Sequence, residues 1–125
     1  IDLMPGVEEI LKLIQKSRIP HCIVTNSTLQ QVNLIIEKIP ILKTIPHWIT
    51  RENYDNPKPA PDGYLKAIDL VGNSKKMLGF EDTLKGISSL EKASIKSVLI
   101  CAPNHPQIND IKKDQLYFSS LTDII

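Results

Sequence analysis

The stretch HCIVTNSTLQQVNLIIEKIP, His21–Pro40, changes character part-way along. Its opening HCIVT is apolar and β-rich without alternation, the pattern of a strand buried on both faces. Ser27 and Thr28 carry hydroxyls able to accept from the first free N–H groups of a helix. Beyond them Leu29, Val32, Ile35, Ile36 and Ile39 recur at helical spacing. Pro40, which has no N–H to give, stops the run. A strand passing straight into an amphipathic helix is half of a βαβ unit.

The rest of the chain continues that alternation. Upstream, Pro5 and Gly6 precede a helical run whose Val7, Ile10, Leu11 and Ile14 share one face, with Glu8 and Glu9 in the first turn, where the helix dipole favours them. Downstream, HWIT (47–50) reads as a weaker strand, and Pro61 is well placed to open a helix over Asp62–Val71. KMLGFED supplies a third strand. TLKGISSLEKA supplies a helix with Leu84, Ile87 and Leu90 in register, and KSVLICAP the most apolar strand of all. The tail DQLYFSSLTDII predicts a short edge strand and a closing helical turn. Strands separated by helices of this length imply right-handed crossovers and a parallel sheet, so the fold class is α/β.

Residues 1–125 suit one domain, without a linker, an internal repeat or a low-complexity tract. Fifteen Lys and Arg against fourteen Asp and Glu leave a net charge of +1, and aromatic residues make up 5%. That balance gives no reason to expect nucleic acid or an anionic membrane as partner. No apolar run approaches the roughly 20 residues needed to cross a bilayer, and no signal peptide is evident, so a cytoplasmic location is expected. Cys22 and Cys101 lie in apolar runs, where free cysteines act as small hydrophobes. The first residue is Ile1, not Met, which reads as a fragment, a processed product or an incomplete chain.

In open parallel sheets chemistry gathers at the carboxyl ends of the strands. Thr25 and Asn26 follow the first strand, offering a hydroxyl, an amide and the free N–H groups of a helix start, a corner suited to an anion. Lys58 follows the second, held between Pro57 and Pro59, where it can neutralise a phosphoryl oxygen or an attacking carboxylate. Glu81 and Asp82 end the third as adjacent carboxylates that repel unless a cation joins them, and Mg²⁺ accepts one or two carboxylates together with phosphate oxygens. Each alone has a plain structural reading: helix capping for Thr25–Thr28 and for Asp82, a solvated loop for Lys58. Their order at successive strand ends is harder to dismiss.

These segments resemble the haloacid dehalogenase-like (HAD) hydrolases, in particular the branch of β-phosphoglucomutase and small phosphatases. LMPGVEEILKLIQKSRIPHCIVTNST looks like that branch's approach to its second motif, KPAPDGYLKAI resembles the third and GFEDTLKGISSLEKASIKSVLI the fourth. The resemblance implies a Rossmann-like three-layer core and Mg²⁺-dependent phosphoryl transfer on a small phosphorylated metabolite. It gives Thr25, Asn26 and Lys58 the phosphoryl oxygens, with Thr25 and Lys58 in catalysis, and it gives Glu81 and Asp82 the metal. The family's nucleophilic aspartate lies in D-x-D-G-T/S after an N-terminal strand, and this sequence has no such motif. Asp2 has Met4 two residues on and is not assigned that role. The first strand and the cap are missing as well. The absent strand would lie between the strands ending at Thr25 and Asp82. The sheet must therefore close that gap, expose two unpaired edges or take a strand from elsewhere, and unpaired edges invite a partner chain or self-association.

Two readings follow. The chain is the C-terminal core of a phosphatase or phosphomutase, or it is a catalytically inactive HAD-like module that binds a phosphate ligand or a partner chain. A flavodoxin-like or receiver domain fits less well, because receivers place their acidic pair early and their lysine late.

Overall fold

The computed structural model describes residues 3–124; Asp2 lies outside them. Five strands, β1 (Ile23–Val24), β2 (Trp48–Ile49), β3 (Leu78–Glu81), β4 (Lys96–Ile100) and β5 (Leu116–Phe118), alternate with four helices, α1 (Val7–Lys16), α2 (Leu29–Lys38), α3 (Asp62–Val71) and α4 (Leu84–Lys92). Every strand pairing is parallel, as the strand–helix alternation demands. The strands form two sheets and not one. β1 pairs only with β2, in the register Ile23 to Trp48, and β3–β4–β5 form the other sheet. Of the three outcomes open for the gap, the described residues adopt two unpaired edges, one on β1 and one on β3.

Local chemistry sets the helix ends. Gly6 precedes α1 at φ 88°, a left-handed conformation that costs glycine little, and a Cβ there would fall 2.7 Å from the Thr122 nitrogen. Thr28 opens α2 with a capping box. Its hydroxyl accepts from Gln31 N–H, and the Gln31 side chain accepts from Thr28 N–H at 2.8 Å. Thr83 caps α4 by accepting from Gly86 N–H.

The core has three centres. Leu11, Leu42 and Ile45 sit under α1 and α2. Tyr64, Leu90, Ala93 and Ile95 join α3 to α4, and Val24 packs against them. Ile87, Leu99 and Cys101 lie between α4 and the larger sheet. Through the Val24 contact the middle cluster reaches across from the larger sheet to β1.

Two expectations are corrected. β1 is only half-buried, because a strand paired on one side cannot be covered as a central strand is. Leu29, expected on the apolar face of α2, is 52% exposed, because the first turn of that helix stands out at the strand-to-helix corner. Cys22 and Cys101 are free thiols, and burial pushes the Cys22 thiol pKa up. No described helix is long and apolar enough to cross a membrane.

Candidate active site

Lys58 sits where the two sheets face each other. Along β1 the N–H groups of Ile23 and of Thr25, just past its end, donate to the carbonyls of His47, just before β2, and Ile49, so the polar groups of the intervening Val24 turn to the open side. The Lys58 ammonium donates to the Val24 carbonyl at 3.0 Å and to Glu81 Oε2, on β3, at 2.5 Å. One side chain therefore satisfies a bare carbonyl on one inner edge and a carboxylate on the other. The ammonium also lies 5.1 Å from the centroid of the Tyr64 ring, within reach of a cation–π attraction.

Glu81 is equally committed. Its Oε2 accepts from Lys58 and from the Tyr64 hydroxyl. Its Oε1 lies in the space that Gly86 leaves open on α4, where a Cβ would come within 2.0 Å. The two charged side chains are 14% and 8% exposed, a nearly dry ion pair. Burial, reinforced by the neighbouring Glu81 charge, pushes the Tyr64 hydroxyl pKa far above its ordinary value of 10.0, which keeps it a donor.

Thr25 and Asn26 approach the same place from β1. Thr25 Oγ1 accepts from Ser27 N–H at 3.0 Å, leaving its own proton to give. Asn26 Oδ1 receives Lys58 N–H at 3.2 Å and the Tyr54 hydroxyl at 2.6 Å, which points the Asn26 amide nitrogen away from both. The Tyr54 oxygen also lies 2.7 Å from the Thr25 carbonyl. Tyr54 was not singled out from the sequence, and an aromatic in a loop carries no signal that it serves a distant turn.

The start of α2 offers fewer free N–H groups than expected of it. Ser27 N–H goes to Thr25, Thr28 N–H to Gln31, and Gln31 N–H to Thr28. Leu29 N–H donates to both oxygens of Glu52, at 3.0 and 3.2 Å. Hydrogen bonds from its own N–H and from Leu29 hold the Glu52 carboxyl below its ordinary value of 4.5. The protein has placed its own anion at the Leu29 N–H of that helix end.

Asp82 stands apart from Glu81. It is exposed, and its carboxylate has no hydrogen-bond or ion-pair partner among the described residues. Gln107, from the loop after β4, clamps its backbone: Gln107 Nε2 donates to the Asp82 carbonyl at 2.7 Å and Gln107 Oε1 accepts from Leu84 N–H at 3.0 Å. That loop reads as an ordinary connection in the sequence. No group of three His, Cys, Asp or Glu residues able to hold a metal occurs among the described residues.

Thr25, Asn26, Lys58 and Glu81 thus converge on two inner edges joined by Lys58, while the Asp82 carboxylate stays outside. A family model described as haloacid dehalogenase-like hydrolase matches residues 1–100. The chain belongs to the haloacid dehalogenase-like hydrolases.

Among its HAD relatives, (DL)-glycerol-3-phosphatase 2 of Arabidopsis thaliana is 30% identical over 131 residues, covering 98% of this chain and 53% of that protein. A solved HAD hydrolase of family IA, variant 3, from Entamoeba histolytica superposes with a TM-score of 0.86 at 29% identity, covering all of this chain and 58% of its own. A β-phosphoglucomutase from Clostridium difficile shares the fold, with a TM-score of 0.83 at 21% identity, covering 99% of this chain and 53% of its own. The chain spans a little over half the length of each of these three proteins.

Proposed function

We propose that this chain is the C-terminal core of a Mg²⁺-dependent phosphatase or phosphomutase acting on a small phosphorylated metabolite. The observation that carries the reading is the position of Lys58, whose ammonium stands between the Thr25–Asn26 corner and the Glu81–Asp82 corner. Phosphoryl transfer asks mainly for neutralised charge and in-line positioning. Three kinds of donor meet at this place: an ammonium, a hydroxyl with a proton to give, and an amide nitrogen turned outward.

In this reading Lys58 offsets charge on the transferring group, while the Thr25 hydroxyl and the Asn26 amide orient its oxygens. The cation belongs to the acidic corner, and Asp82 is the carboxylate there that stands open to it. A single free carboxylate fits Mg²⁺, which keeps several waters and completes its shell from substrate phosphate. When bound, the cation would draw charge from the phosphoryl oxygens. The nucleophilic carboxylate is assigned to a strand that pairs between β1 and β3, where two unpaired edges are available.

The test starts with the intact mass of the protein from its native source, followed by hydrolysis of an aryl phosphate with and without Mg²⁺. A mass above 14.0 kDa is expected, with metal-dependent turnover that Lys58→Ala abolishes. Turnover by the 125-residue chain that survives Lys58→Ala would sink the assignment. A native mass of 14.0 kDa with no turnover would favour the inactive binding module.

A further inference from the structure

The Thr25–Asn26 corner is held from outside by the segment that leaves β2. Arg51 N–H donates to the Ser27 carbonyl at 2.9 Å, and the Glu52 carboxylate takes Leu29 N–H. Tyr54 then reaches back with its hydroxyl, which lies 2.7 Å from the Thr25 carbonyl and 2.6 Å from Asn26 Oδ1. The ring has a fixed seat. The Arg51 guanidinium lies 5.3 Å from its centroid while donating to the carbonyls of Tyr54 and Asp55. On its other flank is Gly63 of α3, where a Cβ would fall 3.3 Å from the ring. Burial pushes the hydroxyl pKa above its ordinary value of 10.0, against a smaller pull from Arg51, so the group keeps its proton at neutral pH.

Two donors settle which end of the Asn26 amide is free. Lys58 N–H can only donate and lies 3.2 Å from Oδ1, and the Tyr54 hydroxyl brings a proton to the same oxygen. A flipped amide would set its NH2 against the Lys58 N–H. Nδ2 is left without a hydrogen-bond partner among the described residues. About the Lys58 bond alone the amide could still turn; the hydroxyl adds a second hold and ties it to the main chain of Thr25. Resting on the phosphoryl-transfer reading above, we propose that Tyr54 is a positioning residue for the phosphoryl corner. By bridging the Thr25 carbonyl and Asn26 Oδ1 it holds Nδ2 ready to donate to an oxygen of an anionic substrate group.

Tyr54→Phe keeps the ring beside Arg51 and removes only the bridge. Two measurements on the purified chain test it: the Asn26 side-chain NH2 signals in ¹H–¹⁵N NMR spectra, and the affinity for inorganic phosphate titrated against them. In Tyr54→Phe those signals should shift and broaden before any phosphate is added, because the amide turns more freely. Phosphate affinity should fall about fivefold, the worth of one hydrogen bond. Thr28→Ala loosens the start of α2 without a hydrogen bond to Asn26 and should leave both measurements as in wild type. Equal losses in Thr28→Ala and Tyr54→Phe would mark a general structural effect and overturn the proposal. Unchanged Asn26 signals, or unchanged phosphate affinity, in Tyr54→Phe would overturn it too. A wild-type chain that binds no phosphate, with the Asn26 signals still altered in Tyr54→Phe, would overturn the phosphoryl-transfer reading while upholding the hold of Tyr54 on Asn26.

Discussion

β4 and β1 are both parallel strands, yet Val98, Leu99 and Ile100 of β4 are at most 3% exposed while both residues of β1 are half-open. β4 has a strand on each side and α4 above it. β1 has β2 on one side and, on the other, the end of a lysine. The difference shows how burial follows pairing. A centrally placed strand satisfies its backbone through the ladder and can be wholly apolar. An inner edge must find other partners for its polar groups, and those partners bring charge with them. The candidate site sits at the poorly paired edge for that reason.

The comparison can be broken most forcefully at Lys58. Lys58→Ala leaves Glu81 buried without its counter-ion and the Val24 carbonyl bare. Denaturant melts should show a loss of about 3–5 kcal/mol, and the double variant with Glu81→Gln should regain part of it. A loss below about 1 kcal/mol, the range of an exposed pair, would mean that the pair is well hydrated and that the edge needs no such cap.

Next in size is Leu99→Ala in β4, expected to cost about 2–5 kcal/mol by opening a cavity beside Ile87 and Cys101. Ile23→Ala in β1 should cost distinctly less. Equal losses would erase the contrast between the strands.

Thr28→Ala removes the capping box that starts α2 beside β1 and should cost about 1 kcal/mol. The smallest effect is electrostatic. Glu52 titrates below its ordinary value, so its stabilisation of the α2 start is present above pH 4.5 and is lost as pH falls through the lower folded-state value. Hydrogen exchange at the Leu29 amide, corrected for its intrinsic pH dependence, should accelerate on acidification in that window and lose the step in Glu52→Gln.

Much of this architecture was legible. The order of strands and helices, the Pro40 stop and the hydroxyl cap at Thr28 follow from spacing and from the chemistry of single residues. So did the grouping of Thr25, Asn26, Lys58 and Glu81, because strand ends share one side of a parallel sheet. What escaped was every relation that depends on where a side chain turns. Glu52 sealing α2, Tyr54 orienting Asn26 and Gln107 clamping Asp82 each link residues more than twenty positions apart. Their residue types are ordinary for loops. The half-burial of β1 escaped because an apolar run reports a strand's preference for burial and not the number of its neighbours.

Gly86 gives the site an unadvertised member. It has no functional group, yet its missing side chain is the mould in which the Glu81 carboxylate lies, so part of the chemistry here is written as an absence. A search for such sites that scores only charged and hydroxyl residues passes over it. An engineer who replaced that helical glycine with alanine to stiffen α4 would evict a carboxylate from its seat.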